Sequence, residues 1–207
     1  MPEPPSIDGG RIGPGILGPT VLSDERLVPI AGERGAATAG AVVRVLNLDL
    51  ALPAVSATAA ADGSFETSIL ASSGNELRFQ ALRQGQRSAP VDFLYASDGG
   101  DLLTPSPRYD CLTLSPGFDL DVPPSGAATL QLQNGCPEPI SFDAPRFRSG
   151  GAFTLDTPLP LVIAAGGEGE LELRRTAANG APEDVFFVDA TRAAQTLRYP
   201  IGLFSQP

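Results

Sequence analysis

The chain has 207 residues, and its 42% hydrophobic and 18% charged content excludes a wholly disordered polypeptide, while 23 glycines and 21 prolines exclude a helical bundle. Histidine, lysine and tryptophan are absent, which excludes Ser-His-Asp triads, histidine metal sites and lysine Schiff bases. With 24 acidic residues against 14 arginines the formal net charge is −10, and this charge repels nucleic acids and anionic membrane surfaces.

Residues 1–20 are rich in glycine and proline, and this composition predicts an extended arm in front of the folded domains. We expect the arm to be mobile or held by a partner. Its first residues, Met1–Pro5, lack the charged and apolar regions of a signal peptide. Because a leader of this composition commonly tethers an exported domain to an anchor, we expect an export signal to have been removed.

Residues 21–96 contain short runs that alternate apolar and polar side chains, which is typical of strands with one buried face. Ala41–Leu46 is mostly apolar and rich in valine, and Phe65–Ile69 and Leu77–Ala81 show a period of two. Turn-forming pairs such as Asp62-Gly63 separate the runs. About six strands in about 70 residues predict a small β-sandwich, because each strand must bury one face against a second sheet.

Part of this region resembles a known family. The run Ala57–Phe65 is similar to a hairpin of bacterial transthyretin-like and carboxypeptidase-regulatory-like domains, with supporting segments Val43–Asn47 before it and Gly74–Ala81 after it. The resemblance covers about a third of the chain. It implies a transthyretin-like sandwich over residues 21–96, and its motifs specify a fold far better than a ligand.

Residues 97–108 predict a linker, because glycine, proline, serine and aspartate dominate them. Asp98 and Asp101, together with two glycines, could suggest a calcium-binding loop. The regular spacing of acidic ligands with a closing glutamate is absent, however. A solvated turn is therefore the favoured interpretation of this segment.

Residues 109–207 carry a second series of predicted strands with the same period of two. Val185–Val188 is continuously apolar, as expected for a central strand that is covered on both faces. Seven to nine strands in about 95 residues predict an immunoglobulin-like sandwich. The alternating segments are Leu130–Gln133, Leu159–Ile163, Leu171–Arg174 and Leu197–Ile201.

The order of segments in this region also resembles a family. It is similar to the abnormal-spindle/hydin type of immunoglobulin-like domain, which bacterial surface proteins carry as a choice-of-anchor domain. This resemblance spans nearly half of the chain, and the usual glycine-rich ending of the final strand is replaced here by Tyr199–Gly202. The segments that carry it are Leu112–Pro116, Leu130–Cys136, Gly151–Leu155 and Pro160–Gly167.

The two cysteines of the chain, Cys111 and Cys136, predict a disulfide that joins two neighbouring strands of the second domain. The alternative is a pair of buried free thiols. A redox role is disfavoured, because it needs a Cys-x-x-Cys pair or a cation beside the thiol. The residues near the cysteines in sequence, Asp110 and Glu138, are acidic.

These patterns predict an all-β protein of two consecutive β-sandwich domains, the first transthyretin-like and the second immunoglobulin-like, with an extended N-terminal arm. We expect an exported structural or protein-interaction module, such as an adhesin, scaffold or stalk, at a bacterial cell surface or envelope. The expected partner is another envelope or surface protein bound by strand-edge pairing. We expect no nucleic acid, no cofactor, and a membrane only through a removed anchor.

The sequence leaves two other functions open. One is a carbohydrate-binding accessory module of a secreted enzyme, which an exposed aromatic strip built from Tyr95, Tyr109 or Tyr199 would favour. The weaker one is a hydrolase that uses only carboxylates, as glycosidases do. Because a 6% aromatic content provides few platforms for a substrate, we expect no enzyme and no catalytic, cofactor-binding or metal-binding residue.

Overall fold

The structure is a computed structural model that describes residues 3–15, 20–22, 25–96, 102–176 and 182–205. The chain divides into two compact units, Met1–Ser106 and Pro107–Pro207. Each unit is a β-sandwich with its own apolar core, which confirms the predicted all-β fold. No helix within the described ranges is long and apolar enough to cross a membrane.

Within the described residues, the first unit has ten strands. They are β1 (Ile12–Pro14), β2 (Thr20–Leu22), β3 (Glu25–Gly32), β4 (Val42–Asn47), β5 (Val55–Thr58), β6 (Phe65–Ala71), β7 (Glu76–Arg83), β8 (Gln86–Arg87), β9 (Val91–Ala96) and β10 (Leu102–Pro105). Sheet 1 has β3 at its centre, with β6 on one side and β1 and β2 in succession along the other. Sheet 2 has the order β10-β9-β7-β4-β5, and β8 pairs with the end of β7.

The alternating side chains of these strands meet between the two sheets. Phe79 of β7 and Phe93 of β9 are buried and pack edge to face, with ring centroids 5.5 Å apart. Each strand contributes every second residue to the core because successive side chains point to opposite faces of a sheet. The largest core side chains of this unit include Ile30, Phe65, Leu77, Phe79, Phe93 and Tyr95.

The second unit has nine strands in the part of the chain that the structure describes. They are β11 (Leu112–Ser115), β12 (Asp119–Asp121), β13 (Ala127–Asn134), β14 (Ile140–Phe147), β15 (Phe153–Leu155), β16 (Leu161–Ile163), β17 (Glu168–Arg175), β18 (Glu183–Arg192) and β19 (Gln195–Phe204). Sheet 3 has the order β11-β13-β17-β15, and sheet 4 has the order β12-β19-β18-β14-β16. This distribution of strands between two sheets is that of an immunoglobulin-like sandwich.

The continuous apolar run Val185–Val188 lies in a central strand, as the sequence predicts. β18 is flanked by β19 and β14 in sheet 4. Phe186 and Phe187 are both completely buried although they point to opposite faces of the sheet. The guanidinium of Arg146 lies 3.9 Å from the ring centroid of Phe187 and covers it on one side.

The first part of the predicted arm over residues 1–20 is folded against the first unit, which differs from the prediction. Ile7 pairs with Ala37, β1 pairs with β3, and the Ile12 side chain is only 8% exposed. Burial of these apolar side chains favours the folded arrangement. Glycine and proline remain compatible with it, because an edge strand needs hydrogen bonds on one side only. Residues 1–2 and 16–19 lie outside the described residues.

The predicted linker over residues 97–108 also differs, because part of it forms β10. β10 pairs with β9 in antiparallel register, and the partly buried Leu103 packs on the core of the first unit. The boundary between the two compact units falls between Ser106 and Pro107 in the sequence. Asp98 and Asp101, which could suggest a calcium-binding loop, lie outside the described residues.

Candidate protein-interaction edge

Among the described strands at the edges of the four sheets, β6 is the longest. It has seven residues, whereas β5, β10 and β11 have four and β1, β2, β12, β15 and β16 have three. Proteins commonly prevent unwanted strand pairing with short edge strands, prolines and positive charges. The sequence of β6 is Phe-Glu-Thr-Ser-Ile-Leu-Ala, with no proline and no basic residue. This makes β6 the candidate edge for pairing with another chain.

Hydrogen bonds on the far side of β3 fix the direction of each backbone group in sheet 1. The carbonyl of Pro29 accepts from the amide of Gly15 at 2.7 Å, and the amide of Glu33 donates to the carbonyl of Arg11 at 2.9 Å. Odd-numbered residues of β3 therefore direct their backbone groups to β1, and even-numbered residues direct theirs to β6.

The same alternation fixes which backbone groups of β6 face outward. Even-numbered residues of β3 pair with odd-numbered residues of β6 throughout their shared register. The amide and carbonyl groups of Glu66, Ser68 and Leu70 therefore point away from β3.

Intramolecular hydrogen bonds close both ends of this outward row. The carbonyl of Ser64 accepts from the amide of Ala60 at 2.8 Å, and the carbonyl of Leu70 accepts from Asn47 Nδ2 at 2.8 Å. Between them, no described residue forms a hydrogen bond with the outward backbone groups of Glu66 and Ser68. We call the stretch of residues 65–70 the open edge, in which the Leu70 carbonyl keeps its bond from Asn47. It is about 17 Å long, which suits a short extended segment.

The turn before β6 sets where the open edge begins. Asp62 Oδ1 accepts hydrogen bonds from the Ser64 amide at 3.0 Å and the Ser64 hydroxyl at 2.7 Å. The bond from the hydroxyl is the main reason that the pKa of Asp62 lies below its usual value. Gly63 has a φ of +82°, and a Cβ atom there would clash with the carbonyl of Ala37. The Asp-Gly-Ser motif thus holds a tight turn and leads the chain into β6.

A buried amide network fixes the other end of β6. Asn47 is 2% exposed, and its Nδ2 atom also donates to Asn75 Oδ1 at 2.9 Å. The same Asn75 oxygen accepts from the amide of Ser72, the residue that follows β6, at 2.9 Å. Asn47 Oδ1 accepts from the amide of Asp49 at 2.9 Å. These hydrogen bonds hold both ends of β6 in place.

β6 carries a single charged side chain, that of Glu66. The side chain of Glu66 is exposed and forms no ion pair within the described residues. Leu27 of β3 is 40% exposed and lies directly opposite the half-buried Leu70. The outer face next to the open edge therefore presents the exposed carboxylate of Glu66 towards one end and the neighbouring leucines Leu27 and Leu70 towards the other.

The tyrosines do not form the exposed strip that would favour carbohydrate binding. Tyr95, Tyr109 and Tyr199 are 1%, 5% and 1% exposed. All ten phenylalanines also lie within the described residues, where Phe118 and Phe147 are half-buried and the others are buried. None of these rings is therefore exposed for a sugar to stack on.

Two of these tyrosines hold the beginning of the second unit in place. The amide of Tyr109 donates to the hydroxyl of Tyr199 at 2.6 Å, and the hydroxyl of Tyr109 donates to the carbonyl of Gln195 at 2.6 Å. Burial raises the pKa of Tyr199, and the hydrogen bond from Tyr109 opposes this rise. These contacts assign Tyr109 and Tyr199 a structural role.

The cysteines form the predicted disulfide. Cys111 and Cys136 are bridged, with their Cα atoms 5.0 Å apart. The bridge joins the residue before β11 to the loop after β13, and the amide of Gly135 donates to the carbonyl of Cys111 at 2.7 Å. A cation lies beside the disulfide, because Arg192 Nη1 is 3.5 Å from Cys111 Sγ. The residues close to the cysteines in sequence gave no indication of it.

Removing the disulfide is expected to destabilise the second unit. The cysteines are 25 residues apart, and opening a loop of this size lowers the free energy of unfolding by about 3.5 kcal/mol in the chain-entropy model. Chemical denaturation of the full chain with and without a thiol reductant measures the change. A variant with both cysteines replaced by alanine serves as control and should not respond to the reductant. An unchanged transition in the reduced wild-type chain would contradict the expectation.

The acidic side chains are dispersed over the described parts of both units. No group of three or more acidic or cysteine side chains there is arranged to hold a metal ion. Asp119 and Asp121, a paired-carboxylate motif, lie on the edge strand β12, which pairs in parallel with β19. Glu170 receives a hydrogen bond from Gln131 at 2.8 Å, and Arg174 pairs with Asp156 at 2.6 Å.

Comparisons with known proteins give weak likenesses. No protein-family model and no curated protein matches the chain. Among solved structures, the VesB protease of Vibrio cholerae is similar with a TM-score of 0.36 and 11% identity, over 81% of this chain and 62% of that chain. The native conformation of E. coli alpha-2-macroglobulin is similar with a TM-score of 0.30 and 12% identity, over 87% of this chain and 16% of that chain. The chain thus spans less than two thirds of either structure.

Proposed function

We propose that this protein is an exported, non-catalytic module that binds another polypeptide by pairing it along the open edge of β6. The observation that carries the proposal is the uninterrupted seven-residue edge strand whose outward backbone groups at Glu66 and Ser68 have no partner among the described residues. An added strand would satisfy these donors and acceptors, as in other cases of β-strand addition.

Three further observations support the proposal. The buried state of all three tyrosines disfavours the alternative of a carbohydrate-binding module. A disulfide is typical of proteins that fold in an oxidising compartment. The absence of histidine and lysine from the sequence supports a non-catalytic module, because most acid-base and nucleophilic mechanisms use one of them.

Replacing Ser68 with proline is expected to weaken strand addition strongly while leaving the fold intact. The Ser68 amide points outward, so proline removes a donor from the open edge without removing a hydrogen bond between β3 and β6. Peptides selected on the wild-type chain from a displayed library of random nonapeptides should bind the variant about tenfold more weakly or worse. Fluorescence anisotropy with the labelled peptides measures the affinities.

A matched control tests whether the effect belongs to this edge. Ser56 on the edge strand β5 also directs its backbone groups outward, because the carbonyl of Ala41 accepts from Ala59 and sets the alternation of β5. Ser56→Pro should leave peptide binding unchanged. Amide exchange of the wild-type chain gives a second measurement, in which the Ser68 amide becomes protected on binding. Equal binding by wild type and Ser68→Pro, or no protection of Ser68, would refute the proposed function.

A further inference from the structure

The open edge has a definite pattern of side chains on its outer face. Counting along the register, Ala31 lies opposite Glu66, Pro29 opposite Ser68 and Leu27 opposite Leu70. A strand added to β6 would place its own outer side chains next to those of Glu66, Ser68 and Leu70. Directly opposite residues in an antiparallel pair have Cβ atoms about 5 Å apart, so these side chains would be in contact.

Glu66 determines the charge that such a strand should carry. Its carboxylate is exposed and has no cationic partner within the described residues. A neighbouring strand would remove part of its hydration, which is unfavourable unless an opposite charge compensates. A basic side chain opposite Glu66 supplies that charge, and an acidic one would be repelled.

The other end of the open edge favours an aliphatic side chain. Leu27 is 40% exposed and faces Leu70 on the same surface. An aliphatic residue placed beside Leu70 would bury apolar surface of Leu70, which is favourable. Polar side chains at this position would gain no such burial.

We propose, building on the function above, that the segment bound along β6 is basic at one position and aliphatic at a second position four residues away. The basic residue, arginine or lysine, lies opposite Glu66, and the aliphatic residue lies opposite Leu70. Glu66 and Leu70 are four residues apart in β6, and residues in register keep this separation. The order of the two positions depends on whether the segment runs parallel or antiparallel to β6.

A second copy of this chain is a poorer occupant than a different, basic polypeptide. If two β6 strands paired around Ser68, each Glu66 would lie opposite Leu70 of the other copy, and β6 has no basic residue to compensate it. Each copy also carries a net charge of −10, so association would be opposed by repulsion. Complementarity of charge therefore selects a partner of opposite sign.

The test is a selection of random displayed nonapeptides on three full-length baits, namely wild type, Glu66→Arg and Ser68→Pro. Wild type should enrich peptides with an arginine or lysine four residues from an aliphatic residue. Glu66→Arg should enrich an acidic residue at the same position. For one wild-type peptide, exchanging its basic residue for glutamate should weaken binding to wild type about fivefold and strengthen binding to Glu66→Arg by a similar factor.

The outcomes separate this inference from the proposed function. If Ser68→Pro prevents binding but wild type and Glu66→Arg select the same motif, strand addition stands and the charge rule is wrong. If selected peptides bind Ser68→Pro as well as wild type, or none is enriched, the proposed function itself is wrong. Sedimentation equilibrium tests whether a second copy of the chain binds the open edge instead. If wild type formed a dimer that Ser68→Pro dissociates, the occupant would be a second copy and the basic partner would be wrong.

Discussion

Replacing Asp92 with alanine is expected to lower the free energy of unfolding of the first unit by about 4 kcal/mol. Arg78 Nε donates to Asp92 Oδ1 at 2.8 Å and Arg78 Nη2 donates to Asp92 Oδ2 at 2.9 Å, and the two side chains are 6% and 9% exposed. Removing the carboxylate takes from the buried guanidinium an anion that compensates its lost hydration.

A double variant distinguishes loss of the charge partner from loss of packing. Arg78→Met combined with Asp92→Leu removes both charges and retains apolar volume, so it should cost less than about 1 kcal/mol. Amide exchange of β7 and β9 measures the stability of the first unit, and amides of β18 in the second unit serve as an internal reference. If the double variant were as unstable as Asp92→Ala, the loss of stability would not come from the uncompensated charge of Arg78.

Replacing Asn134 with aspartate is expected to destabilise the second unit by about 5 kcal/mol at neutral pH. Asn134 is completely buried. Its Nδ2 atom donates to the carbonyls of Glu138, Ile163 and Ala164 at 2.9, 3.1 and 3.0 Å. A carboxylate at this position would face three carbonyl oxygens and have no hydrogen to donate.

The pH dependence identifies the cause of this loss. Burial and the facing carbonyls would raise the pKa of the new carboxyl group above its unfolded value. Because the folded state then binds the proton more tightly than the unfolded state, the deficit should shrink as the pH falls and grow as it rises. Gln133→Glu adds the same charge at an exposed position of β13 and should cost less than about 1 kcal/mol. Thermal unfolding between pH 4 and 8 measures this dependence. A difference in stability between wild type and Asn134→Asp that did not change with pH would contradict the expectation.

The period-two pattern predicted the strands well because it is a local property of the chain. Ala41–Leu46 corresponds to β4, Phe65–Ile69 lies within β6, and Leu77–Ala81 lies within β7. Alternation of apolar residues reports which face of a strand is buried, and this does not depend on the neighbouring strand. The same pattern cannot identify the neighbours, so it did not reveal that β6 lies at an edge.

The sequence of β6 nevertheless contains one indication that this strand could lie at an open edge. Phe65–Ala71 lacks the prolines and basic residues that commonly protect edge strands. That absence is equally typical of a central strand, and the two cases are distinguished by the structure, where β6 pairs with no described strand except β3. Glu168–Glu172 shows the opposite case. Its charges resemble those of a protected edge, yet β17 lies between β13 and β15.

The sequence by itself determined the all-β fold and the absence of histidine- and lysine-dependent chemistry, and it favoured a disulfide between Cys111 and Cys136 over two free thiols. Composition and short-range alternation are sufficient for these conclusions, because they depend on residue types and on the geometry of a single strand. Tertiary structure decided which strand edges stay open, how the arm folds, and which charges meet. Arg78 meets Asp92, and Arg192 meets Cys111, only because strand pairing brings together residues 14 and 81 positions apart.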